Sequence, residues 1–225
     1  MKSLKLVASG ILATAISMSA NAAFIENFDS ASFGTEWIGS GATSSSAYAH
    51  DGDFGVTTNG NWYYRDDVDA QIQAGDTLTA WFKTAEPRDG RFYLGFGADT
   101  TGARSFVPAP NTNQIIFQDN LGFGYSNTDT LSQTFESNHW YLVEVLFGFS
   151  GDITGNLFDS DGTTLINSLT TNVLDYSGGI AVRSFGNVGF DSIELKSGSV
   201  PEPASLALLG LGLLGLGAIR RKKPA

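Results

Sequence analysis

Apolar residues recur at every second position through most of this chain, and no window shows a convincing apolar period of 3.6. Leu78, Ala80 and Phe82 alternate with Thr77, Thr79, Trp81 and Lys83. Phe92, Leu94 and Phe96 alternate with Tyr93, Gly95 and Gly97, and Tyr141, Val143, Val145 and Phe147 alternate with Leu142, Glu144 and Leu146. Side chains on a strand point to opposite faces in turn, so each segment predicts a strand with one face on a core. Turn-forming pairs separate the runs: Asp51-Gly52, Asn59-Gly60, Asp89-Gly90, Asp161-Gly162 and Ser177-Gly178-Gly179. No repeat of fixed period is present, which argues against a propeller or solenoid. The pattern predicts one all-β domain of about 12 to 14 short strands, folded as a two-sheet antiparallel β-sandwich of the jelly-roll kind.

The two ends of the chain do not belong to that domain. Lys2 and Lys5 precede an uncharged, mainly apolar stretch, and Ala20-Asn21-Ala22 fits the small-x-small rule for cleavage before Ala23. Residues 1–22 therefore predict a secretory signal peptide, with the Sec translocon and signal peptidase as partners. At the other end, Ala204 to Ile219 is 16 residues without charge, closed by Arg220, Arg221, Lys222 and Lys223. As a helix it rises roughly 24 Å against a hydrocarbon layer of about 30 Å. That is a short transmembrane helix with a basic stop, suited to a temporary anchor. Residues 23–196 are left as the sandwich domain, 197–200 as a linker and 201–225 as the tail. Residues 23–200 hold seven basic residues against 22 acidic ones, a net charge of −15. This balance argues against nucleic acid and anionic membrane surfaces as partners. The chain has no cysteine, which excludes disulfides, thiolate zinc and thiol chemistry.

The tail, with Pro201, Glu202 and Pro203 ahead of the apolar run and the Arg-Arg-Lys-Lys cluster behind it, resembles the PEP-CTERM sorting signal of Gram-negative bacteria. That resemblance implies recognition by exosortase, removal of the tail, and release or attachment at the envelope or extracellular matrix. The sandwich region resembles the concanavalin A-like lectin and glucanase domains, including laminin-G-like modules. The resemblance is carried by Asn138-His139-Trp140-Tyr141-Leu142-Val143-Glu144-Val145, by the segment Gly178 to Leu195, and by the opening Glu26-Asn27-Phe28-Asp29.

In the last strand, Val188 and Phe190 fall on one face and Ile193 and Leu195 on the other at a strict period of two. A bulge near Asp191-Ser192 puts all four on the core side. It aims Asp191 outward or toward the first strand, where Asp191 and Glu26 form a candidate structural calcium site, as the resemblance also implies. Asp66-Asp67-x-Asp69 reads as a solvated turn. Asp159-x-Asp161-Gly162 reads as a hairpin turn, because Thr170 stands where a calcium loop needs Glu.

Catalysis finds little support. The Glu-x-Asp-x-x-Glu pattern of the glucanase branch is absent, no G-x-S-x-G occurs, and the only histidines are His50 and His139. Sugar binding finds more. Trp62, Tyr63 and Tyr64 are consecutive, so at least one ring faces away from the core, and Trp81 and Arg91 are expected on neighbouring strands to extend that surface. The sequence thus predicts an exported, exosortase-sorted, non-catalytic protein that binds or builds an extracellular polysaccharide layer. A secreted glycan-active hydrolase on the same scaffold is the alternative.

Overall fold

The computed structural model describes residues 22–198, which form fourteen strands. One sheet has eight strands. Its path runs β12 (Leu165–Thr171), β11 (Ile153–Phe158), β10 (His139–Phe147), β5 (Thr77–Thr84), β14 (Val188–Lys196), β3 (Gly55–Thr57) and β2 (Thr43–Ser45), with β1 (Ala22–Glu26) also paired to β14. The other has six, in the order β4 (Tyr63–Arg65), β13 (Gly179–Phe185), β6 (Arg91–Asp99), β7 (Gly102–Ala109), β8 (Gln114–Leu121) and β9 (Ser126–Ser132). Neighbouring strands are antiparallel throughout. The two-sheet sandwich matches the fold class expected from the sequence. The expected signal peptide (1–22) and sorting tail (201–225) lie outside the described residues, except for Ala22, which with Ala23 opens β1 opposite Lys196 and Leu195. No helix among the described residues is long and apolar enough to cross a membrane.

The alternating positions meet between the sheets. Leu78, Phe82, Phe92, Leu94, Phe96, Val143, Val145 and Phe190 are all fully buried in one cluster. Aromatic rings build much of it: Phe82 stacks on Phe92 at 5.7 Å and on Tyr141 at 5.3 Å, and Phe92 lies 5.0 Å from Phe190. Each fully buried ring of this kind contributes roughly 1.5–3 kcal/mol.

The last strand carries the expected bulge. Its register against β5 shifts between Asp191 and Glu194, with Ser192 at a φ of 53°, and Val188, Phe190, Ile193 and Leu195 all face the core. The position has a topological reason. Phe190 pairs with Val56 of β3, whereas Ile193 to Lys196 pair with β1, so the extra residue sits where β14 exchanges one edge partner for another.

The alternation leaves one feature of β6 unread. It puts Tyr93 on the face of β6 away from the core, yet Tyr93 is buried there nearly as completely as its core-facing neighbours. Outside the six-stranded sheet, Tyr93, Val107, Ala109 and Ile116 form a second apolar cluster against which Trp62 and Phe185 pack. Beside it runs a buried polar ladder. Ser105 donates to Asn120, whose amide donates to Gln118 at 3.1 Å, and Gln118 donates to Asn127 at 2.7 Å. Every member gains a partner, so burial leaves no orphaned amide.

Candidate functional site

On the outer face of the eight-stranded sheet, three rings from distant parts of the chain come together. Trp81 of β5 lies opposite Leu142 of β10 and Asp191 of β14, and Trp140 lies opposite Lys83. His50, from the loop before β3, stacks on Trp81 at 3.8 Å with 12° between planes and meets Trp140 edge-on at 5.1 Å. The Lys83 ammonium lies 5.8 Å from the Trp140 ring centre and donates to the Ala47 carbonyl at 3.4 Å. All three rings are half-buried.

The bulge positions this group. Asp191 is fully buried, and its carboxylate accepts the backbone N–H of His50 at 2.8 Å, of Asp51 at 3.1 Å and of Ser192 at 2.7 Å. Burial raises the Asp191 carboxyl above its ordinary value, against the lowering effect of those three donors. A second support comes from Tyr48: a Cβ on Gly189 would lie 2.0 Å from its ring, so only glycine lets the Ser46–Tyr48 turn rest on β14. On the far side of Trp81 lies the β11–β12 turn, where a Cβ on Gly162 would come within 3.1 Å of the indole. The Thr164 hydroxyl and the Thr164 and Thr163 N–H groups hold that turn's Asp161 and lower its carboxyl to about 2. His139 anchors the turn to β10 through Asp159, at 2.6 Å.

The residues expected from the sequence are divided between the two sheets. Trp62 and Tyr64 face outward from the six-stranded sheet, where Trp62 donates to the Phe123 carbonyl at 3.2 Å and Tyr64 lies 5.6 Å from the Phe123 ring. Arg183 lies over this group, 4.9 Å from Tyr93 and 5.8 Å from Trp62. Tyr63 turns inward, stacks on Phe33 at 4.1 Å and accepts the Ala42 N–H at 2.8 Å. Trp81 and Arg91 do not lie on neighbouring strands. The chain crosses between sheets at the β5–β6 connection, so Trp81 belongs to the eight-stranded sheet, whereas Arg91 holds Asn111 at 2.8 Å beside the six-stranded one.

Glu26 and Asp191, paired in the sequence as a candidate calcium site, each accept backbone donors of their own. Glu26 accepts the N–H groups of Asn27 and Phe28 at 3.2 Å and of Gly34 at 2.8 Å, which pins the loop after β1. Among the acidic turn residues, Asp67 forms a two-pronged pair with buried Arg65 at 2.6 and 2.7 Å. That pairing holds the Asp67 carboxyl below its ordinary value. His50 and Trp140 were not among the expected site residues. Trp140 was legible as an outward position of its strand, but nothing local places His50 beside it.

The domain is a two-sheet antiparallel β-sandwich. It superposes on the carbohydrate-binding module CBM66 from Bacillus subtilis with a TM-score of 0.55 at 12% identity, covering 72% of this chain and 96% of the module. A protein of unknown function from Shewanella oneidensis MR-1 gives 0.53 at 14% identity, covering 83% and 90%. The exoplasmic/lumenal domain of VIP36 in its Ca2+/Man2-bound form gives 0.52 at 11% identity, covering 83% and 91%. These likenesses establish the fold alone. No curated protein matches the chain in sequence. Residues 199–222 match the PEP-CTERM protein-sorting motif, so the chain carries a surface-sorting signal at its C-terminal end.

Proposed function

We propose that this is an exported surface protein, processed at its tail by exosortase, whose sandwich binds extracellular polysaccharide without catalysing its breakdown. The observation that carries the binding reading is the half-buried Trp81–His50–Trp140 group on the outer face of the eight-stranded sheet. Aromatic faces and edges pack against the apolar faces of sugar rings, while the indole and imidazole N–H groups and Lys83 supply donors for hydroxyls. The group is held from beneath by a buried carboxylate and from the sides by two turns, so little ordering remains to be done on binding. Similarity in fold to a carbohydrate-binding module supports the same reading.

A non-catalytic role is favoured by how the carboxylates around the rings are used. Asp191 holds three backbone N–H groups, Asp161 holds its turn, Asp159 pairs with His139, and Glu144 accepts the Asn156 amide at 2.9 Å. Retaining glycosidases instead need two carboxyl groups about 5–5.5 Å apart facing one bond.

Retention of the purified protein in gels containing cellulose, mannan, levan or bacterial exopolysaccharide tests the binding. Trp81→Ala and Trp140→Ala are each expected to weaken retention about tenfold or more. Wild-type retention in both variants would refute this surface. Intact-mass analysis of cells with and without exosortase tests the sorting; a full-length tail on the mature surface protein would refute it.

A further inference from the structure

The outer strands of the sandwich are not alike. On one side the sheets end in short pieces, β2 and β4 of three residues each and β1 of five. On the other side they end in β9 and β12, each of seven. An edge strand is bonded on one side only, so its remaining N–H and C=O groups form a template for another strand. Folded proteins guard such edges with charge, proline or shortness. β9 carries Asp129 at its middle position. β12, Leu165-Ile166-Asn167-Ser168-Leu169-Thr170-Thr171, has no charge and no proline. Its irregularity against β11 is confined to the end at Ile166 and leaves residues 167–171 in register. The Ser168 hydroxyl donates to Asn156 at 2.7 Å, and the Thr170 hydroxyl lies 2.9 Å from that of Thr154. Both side chains therefore lean inward along the sheet and leave the edge uncovered.

We propose that β12 pairs antiparallel with β12 of a second copy of this chain, about a two-fold axis at Ser168. Length and charge select self-pairing. The opposite edge of the same sheet offers pieces of three and five residues against seven, so head-to-tail growth is poorly matched, whereas β12 paired with itself matches along its whole length. Residues 23–200 carry a net charge of −15, so copies repel over most of their surface, and an uncharged edge is where they can meet. Leu165 is 53% exposed and Val173 68%. Pairing centred on Ser168 sets Leu165 of each copy diagonal to Val173 of the other. A seven-residue strand is about 23 Å long, and with these flanking side chains the pair buries on the order of 1,000 Å² in total. That is the low end for a specific interface, which makes the dimer a weak one.

The pairing has a consequence for binding, and that consequence alone rests on the function proposed above. A two-fold axis perpendicular to the sheet keeps both outer faces on the same side, so the two Trp81–His50–Trp140 groups share one face of a continuous sheet. Trp81 lies on the fourth strand from the edge, in the row of Leu142, Phe158 and Leu165. With about 4.8 Å between strands and about 3.3 Å per residue, its two copies are roughly 40 Å apart. One polysaccharide chain can then hold both, and retention gains by avidity.

The test uses the purified full chain in mild detergent. The chain has no cysteine, so Ser168→Cys reports the contact directly. Residues opposite each other in an antiparallel pair have Cα atoms about 4.5–5.5 Å apart, within reach of a disulfide. Oxidation should give covalent dimers of Ser168→Cys and none of Thr43→Cys on β2. By sedimentation the wild type should be a monomer–dimer equilibrium with a dissociation constant of about 1–100 µM. Ser168→Lys sets two ammonium groups against each other across the axis. It should weaken the dimer at least about tenfold, melt as the wild type does, and lower retention on polysaccharide. Trp81→Ala should lower retention and leave the dimer intact, so the pairing and the sugar-binding function fail separately. The proposal is overturned by a wild-type chain that stays monomeric at about 500 µM, by equal cross-linking of Thr43→Cys, by wild-type dimerisation of Ser168→Lys, or by growth beyond the dimer.

Discussion

Removing the Asp191 carboxylate should damage stability and binding together. In Asp191→Ala, the N–H groups of His50, Asp51 and Ser192 lose their acceptor at once. A buried donor left unpaired costs about 1–3 kcal/mol, but the His50 and Asp51 amides lie near the surface and water can recover part of theirs. Ionising Asp191 in the fold also carries a desolvation penalty, seen in its raised carboxyl, and alanine relieves it. The balance is a loss of about 2–4 kcal/mol. For a domain of this size that lowers the melting midpoint by roughly 5–15 °C. Asp191→Asn keeps one acceptor oxygen but turns an N–H₂ toward a donor, so it should fall between wild type and alanine. Thermal and denaturant unfolding followed by circular dichroism measures the loss. Polysaccharide retention measures the second consequence, because His50 is released from its stack on Trp81. A loss below about 1 kcal/mol in Asp191→Ala, with retention unchanged, would show that the carboxylate does not hold the ring group.

Gly189→Ala places a methyl group where the Tyr48 ring lies and should cost about 1–3 kcal/mol by displacing the Ser46–Tyr48 turn; an unchanged melting curve would contradict that contact. The response to pH should have two signs. Asp67 and Asp161 have lowered carboxyls, so their stabilisation is complete above the ordinary value of 3.8 and is lost as pH falls below it, for Asp161 toward about 2. Asp191 is raised, so its contribution runs the other way: it is fully present below 3.8 and is lost as pH rises through its folded value. Unfolding curves from pH 2 to 6 should therefore rise less steeply for wild type than for Asp191→Ala; parallel curves would refute the opposed signs.

The strands were readable because alternation is a local property of the pleat. Leu78-Ala80-Phe82 and Tyr141-Val143-Val145 face the core as their spacing required. The bulge was readable for the same reason: Val188, Phe190, Ile193 and Leu195 can share a face only if one residue is added. The sorting tail is a linear motif and needs no fold to be recognised. Less was readable where the outcome depended on pairing. β9 and β12, with sequences as polar as Ser126–Ser132 and Leu165–Thr171, gave no periodic signal because edge strands need bury little.

The sequence by itself determined the alternating core strands, the position of the bulge and the sorting motif, since each is encoded within a few neighbouring residues. Only the tertiary structure decided which sheet each strand joins. That choice sent Trp81 and Arg91 to different sheets and turned Tyr63 inward. It also brought the His50 N–H to Asp191 across 141 positions of sequence. Sheet assignment is settled by long-range hydrogen-bond pairing and core packing, which no local pattern of residues records.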